Sequence, residues 1–70
     1  MTTLELTNEN LDKSQEIALE ELKTRNLSMD ELIEFIKSKN YSEPIARELF
    51  WRLSEYGLAK INSDWDLEII

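Results

Sequence analysis

The chain's one proline and one glycine, Pro44 and Gly57, fall near the two ends of a single stretch, NYSEPIARELFWRLSEYGLAKIN (40–62), and constrain how it folds. Proline lacks an N–H and fits the first turn of a helix, where that donor has no intrahelical partner. Ser42, just upstream, suits the N-cap. Glycine is the residue best suited to the left-handed step that ends a helix. Between them Ile45, Ala46, Leu49, Phe50, Leu53 and Tyr56 recur on one face of a wheel of about 3.6 residues per turn. The opposite face carries Arg47, Glu48, Trp51, Ser54 and Glu55, so a tryptophan lies near the centre of a polar surface.

Upstream, residues 1–7 read as a flexible N-terminus or a short strand, and 8–70 as a single domain. Thr7 or Asn8 caps a first helix expected to run to about Arg25, with Leu11, Ala18, Leu19 and Leu22 inward and Gln15 within the arc. Glu9–Lys13 and Glu21–Arg25 form favourable i, i+4 pairs, while Asp12, Glu16 and Glu20 make an acidic ridge at the same spacing. That ridge is either a solvated face or a docking surface for a basic partner. Asn26 and Leu27 make a short link. Ser28-Met29-Asp30-Glu31 is a capping box opening a second helix that runs to about Lys39. Met29, Leu32, Ile33 and Ile36 point inward, Phe35 lies at the edge, and Asn40 suits a left-handed exit. So few residues separate this helix from the next that the two form a helix-turn-helix.

After Gly57, Leu58 to Asn62 is extended, and Asn62-Ser63-Asp64 carries turn chemistry. Trp65, Leu67 and Ile69 then alternate with Asp66 and Glu68, which makes a β-hairpin and assigns Trp65 to the core. The fold class expected is therefore α+β: a small three-helix domain with a C-terminal β-hairpin. No linker, internal repeat or low-complexity segment interrupts it.

Three helices and a hairpin joined through ELIEFIKSKNYSEPIARELFWRLSEYGLAKI, with Leu53 to Leu58 supplying an L-x-x-x-G-L helix end, resemble the winged-helix (winged helix-turn-helix) superfamily. The resemblance covers about residues 9–70 and rests on spacing, which speaks to fold before function. It implies DNA binding through the third helix in the major groove and basic residues on the wing. By position, Arg47, Trp51, Ser54 and Glu55 would face the groove, with Ser63 and Asp64 at the wing tip. The charges depart from that pattern. From Ser42 to Tyr56 the chain sets Arg47 and Arg52 against Glu43, Glu48 and Glu55, and the hairpin sets Lys60 against Asp64, Asp66 and Glu68.

The whole chain continues this imbalance: 15 acidic residues against 8 basic ones give a formal charge of −7. Affinity for nucleic acid is largely supplied by basic side chains neutralising phosphates, so the balance disfavours DNA. With no Cys and no His, disulfides, thiolate chemistry and the commonest general base and metal ligand are all lacking. Ser14, Ser28, Ser38, Ser42, Ser54 and Ser63 have no histidine to activate them, and no P-loop or H-E-x-x-H is present. Asp30/Glu34 and Asp64/Asp66/Glu68 are paired carboxylates of the kind that can bind a metal, but the second set alternates on a strand, lacks the glycine of a calcium loop and reads as a solvated face. An enzyme is not expected, nor a cofactor or metal. No apolar run reaches the roughly 20 residues of a membrane span, and no signal-peptide core follows Met1, so a cytoplasmic protein is the expectation.

Two functions follow. The first is a protein-interaction or regulatory module whose third helix presents Arg47, Trp51, Ser54 and Glu55, with Arg47 stacked on the indole. In that reading Trp51 is a hot-spot anchor; the plainer alternative folds it over the hairpin or the N-terminus. The second is a DNA-binding regulator that uses Lys37, Lys39, Arg47, Arg52 and Lys60 as a local basic patch. Acidic mimicry of nucleic acid would rest on net charge alone. Ile17 and Ile70 fall off their apolar faces, as isolated exposed aliphatics or as a homodimer seam.

Overall fold

A computed structural model describes residues 3–70; the expectation for Met1 and Thr2 lies outside the described residues. Helix α1 spans Asn8–Leu22, strand β1 Leu27–Ser28, α2 Met29–Ser38, α3 Glu43–Glu55, β2 Ala59–Ile61 and β3 Asp66–Ile69. The fold is α+β: three helices and a small antiparallel sheet of order β1-β3-β2, arranged as a helix-turn-helix followed by a C-terminal hairpin.

Local chemistry sets the helix ends. Thr7 caps α1, its hydroxyl accepting the Asn10 N–H at 3.1 Å. The capping box of α2 is complete: Ser28 Oγ accepts the Glu31 N–H at 3.1 Å, and the Ser28 N–H donates to Glu31 Oε1 at 3.0 Å. Both α2 and α3 end in Schellman turns. At α2 the Tyr41 N–H donates to the Ile36 carbonyl and the Asn40 N–H to that of Lys37, with Asn40 at φ 68°. At α3 Leu58 and Gly57 donate to Leu53 and Ser54, with Gly57 at φ 72°. Ser42 occupies the N-cap of α3, yet its side chain makes no capping bond and its hydroxyl oxygen is buried without a partner. Pro44 has no N–H to offer, and the Ile45 N–H is taken by the Ser42 carbonyl at 3.1 Å.

Leu11, Ala18, Leu22, Leu27, Leu32, Ile36, Ile45, Leu49, Leu53 and Leu67 pack into one core. The inward line of α1 is rotated from the expected one. Ser14 is fully buried, its hydroxyl donating to the Leu11 carbonyl, while Gln15 and Leu19 sit half-buried at the edge. Ile17, expected off the apolar face, packs against the edge of the core, whereas Ile70 is exposed. The helix also stops at Leu22 rather than near Arg25, closing through Lys23, Thr24 and Arg25 N–H bonds to Leu19, Glu20 and Glu21.

Leu27, expected in a link, is a fully buried strand residue paired with Leu67. Residue Leu4 joins Tyr41 in a parallel bridge: its N–H donates to the Asn40 carbonyl and its carbonyl accepts the Ser42 N–H. Thus part of the N-terminal segment rests on the helix-turn-helix link. Two aromatic expectations are overturned. Tyr56 is 60% exposed because it is the C-cap residue of α3, where the chain turns away; Leu58 packs against the core instead. Trp65 is 71% exposed. Its φ of 63° takes it out of the strand, so inside-outside alternation begins only at Asp66.

Candidate functional site

Helix α3 is held from behind by Ile45, Ala46, Leu49, Phe50 and Leu53, all buried, so its remaining face is turned outward. Arg47, Trp51 and Glu55 follow one another at i, i+4 along that face, with Ser54 beside them. Trp51 is 50% exposed. Its ring meets buried Phe50 edge to face, with centroids 5.3 Å apart at 79°. That contact anchors one side of the indole to the core and leaves the rest open. Ser54 is half-buried, with its carbonyl accepting the Gly57 N–H, while Glu48 and Glu55 are exposed and make no ion pair among the described residues.

Arg47 does not stack on Trp51. Its Nε donates to Glu43 Oε2 at 2.9 Å, one turn toward the start of α3. A carboxylate one turn away offers the guanidinium a charge-assisted bond, stronger than an exposed ring can give. The cation that does lie over an aromatic ring on this helix is Arg52, 5.1 Å from the centre of Tyr56.

The set Lys37, Lys39, Arg47, Arg52 and Lys60 does not form a free basic patch. Arg47 is held by Glu43, and Lys60 by Glu68 at 3.2 Å across the β2–β3 pair. Arg52 reaches away from the outer face to Asp12 on α1 at 2.7 Å, with a side chain only 18% exposed and a buried Nε without a partner. Lys37 and Lys39 at the end of α2 make no ion pair among the described residues, and Lys39 lies 5.6 Å over Phe35. The acidic ridge of α1 is likewise partly neutralised: Asp12 by Arg52 and Glu20 by Lys23, leaving Glu16 unpaired among the described residues.

Two carboxylates are held below their ordinary range. Glu31 is lowered by the Ser28 backbone N–H first and by the Ser28 hydroxyl second. Glu68 is lowered by the Asn62 side-chain amide first and by Lys60 next. Both shifts come from bonds that also fix local structure, the capping box of α2 and the turn and strand pairing of the hairpin. Among the described residues no three Asp or Glu side chains converge in a group that would hold a metal ion. No described helix is long and apolar enough to cross a membrane. No family model, curated protein or solved structure matches the chain.

Proposed function

We propose that this chain is a non-enzymatic protein-interaction module of winged helix-turn-helix type that presents the outer face of α3 to a protein partner. The observation that carries this reading is Trp51, half-exposed on a helix whose opposite face is fully committed to the core. A large aromatic ringed by charged and polar groups suits an energetic anchor with a rim. The ion pairs of Arg47, Arg52 and Lys60 add support from the other side. A DNA backbone would have to displace carboxylates from three of the five candidate cations before gaining any phosphate contact.

Replacement of Trp51 tests the reading. Trp51→Ala should weaken capture of the partner by roughly 2 kcal/mol or more, while thermal unfolding moves little because half of the ring faces water. A titration with duplex DNA at low salt belongs beside it. Tight, steeply salt-dependent retention of duplex would replace this reading with the DNA-binding one, whereas partner capture that is indifferent to Trp51 would remove the outer face of α3 as the docking surface.

A further inference from the structure

Trp65 is the side chain that folding explains least: it is 71% exposed, on a left-handed backbone, at the tip of the hairpin. The turn beneath it is well held. Asn62 Oδ1 accepts the N–H groups of Asp64 at 2.9 Å and Asp66 at 3.1 Å, and the Trp65 N–H donates to the Asn62 carbonyl at 3.0 Å. Ile61, Asn62 and Ser63 line a shallow, mostly apolar recess together with the indole. The unpaired charge on this hairpin is one-sided. From Leu58 to Ile70 the chain carries Lys60, Asp64, Asp66 and Glu68, and Lys60 and Glu68 are paired with each other. Asp64 and Asp66, the two neighbours of Trp65 in sequence, make no ion pair among the described residues.

An indole face attracts cations through its quadrupole, and carboxylates on both residues adjacent to it in sequence, neither in an ion pair among the described residues, deepen that preference. The same carboxylates repel a phosphate backbone or an anionic bilayer. Arginine fits better than lysine, because a planar guanidinium stacks on a ring while its edge donates hydrogen bonds to carboxylates. We propose that the wing tip docks an arginine-bearing segment of a protein partner, with the guanidinium over Trp65 and Asp64 and Asp66 accepting from its edge. The inference does not rest on the α3 reading, since Trp51 can be replaced without touching the wing.

Trp51→Phe leaves Trp65 as the one tryptophan of the chain, so its emission reports on the wing alone. The probes are the blocked peptides Ac-GRGRG-NH2, Ac-GKGKG-NH2 and the citrulline counterpart of the first, titrated at low salt. The arginine peptide should change Trp65 emission saturably, the lysine peptide should bind several-fold more weakly, and the citrulline peptide should not bind. Amide shifts in the otherwise unaltered chain should cluster at 62–66. Trp65→Leu keeps the charges and an apolar side chain, yet should weaken the arginine peptide about two- to fivefold. The pair Asp64→Asn and Asp66→Asn should do the same; Trp65→Gly, matched to the left-handed backbone, repeats the test in a variant sure of its turn. Equal affinity in Trp65→Leu would reduce the effect to net charge and overturn the proposal. So would shifts centred on the Asp12–Glu20 ridge, a Trp65 response to vesicles of anionic lipid, or emission that follows protein concentration through self-association.

Discussion

The turn between α2 and α3 and the turn at the tip of the wing each pass through a left-handed residue that is not glycine: Asn40 at φ 68° and Trp65 at φ 63°. The first is explained by folding at every step. Asparagine is among the few residues that enter this region readily, and the residue after it, Tyr41, is 6% exposed and bonded through its N–H to Ile36. Leu4 then bridges to Tyr41 through the backbone, so the chain just after Asn40 is tied to the domain on both sides. At the hairpin tip the same backbone step costs a bulky side chain about 1–2 kcal/mol relative to an ordinary conformation, and the ring gains little burial in exchange. Where a fold determines a turn, residue type and packing agree. Where they disagree, as at Trp65, packing within the domain does not account for the side chain, and that is the opening for the proposed docking role.

The largest expected effect separates the two turns by stability. Tyr41→Ala empties a buried site and should lower the unfolding free energy by about 3 kcal/mol, read as a fall in the urea midpoint at unchanged slope. Trp65→Ala should stay within about 0.5 kcal/mol of the parent, as an exposed position does. A wing substitution as damaging as Tyr41→Ala would erase the contrast. A smaller effect tests backbone preference directly. Trp65→Gly should stabilise the domain, by up to about 1 kcal/mol once the greater freedom of glycine in the unfolded chain is counted. Asn40→Ala should cost about 1 kcal/mol and Asn40→Gly close to nothing, which chemical unfolding of the three variants would resolve.

The same contrast explains which parts of this molecule are legible in its sequence. Ser28, Glu31, Asn40 and Gly57 act through bonds to near neighbours in the chain, and each stands where capping and turn chemistry place it. The apolar stripes of α2 and α3, Tyr56 apart, are equally legible, because periodicity is written in the sequence itself. What escapes is set by distant partners. Leu27 is a lone apolar residue between polar ones, and only its pairing with Leu67 across the fold makes it a strand. Arg52 looks like a free cation on α3 until α1 brings Asp12 within 2.7 Å. Trp65 fits an alternating pattern with Leu67 and Ile69, and one left-handed residue at the turn breaks that pattern by a single step. Of the candidate site, the clustering of Arg47, Trp51, Ser54 and Glu55 is legible from helical spacing, whereas the capture of Arg47 by Glu43 is a choice between neighbours that spacing does not decide.

The smallest effects lie in acid, where the two ends of the comparison differ in what holds their carboxylates. Glu31, at the entry to α2, is lowered chiefly by a backbone N–H, that of Ser28, with the Ser28 hydroxyl second. Glu68, at the wing, is lowered chiefly by the Asn62 side chain, with Lys60 next. In each case the unfolded chain takes up its proton first, near the ordinary glutamate value of 4.5. The stabilisation is therefore complete above that value and is lost as pH falls from it through the lower folded value. Ser28→Ala keeps the backbone donor, so the Glu31 titration followed by carboxyl-carbon NMR should rise only part of the way back. Asn62→Ala removes the leading partner of Glu68 and should return that group part of the way, the remainder being Lys60 and Asn26. A full return of Glu31 in Ser28→Ala, or an unmoved Glu68 in Asn62→Ala, would mean that the helix entry and the wing do not differ as backbone-held and side-chain-held structures.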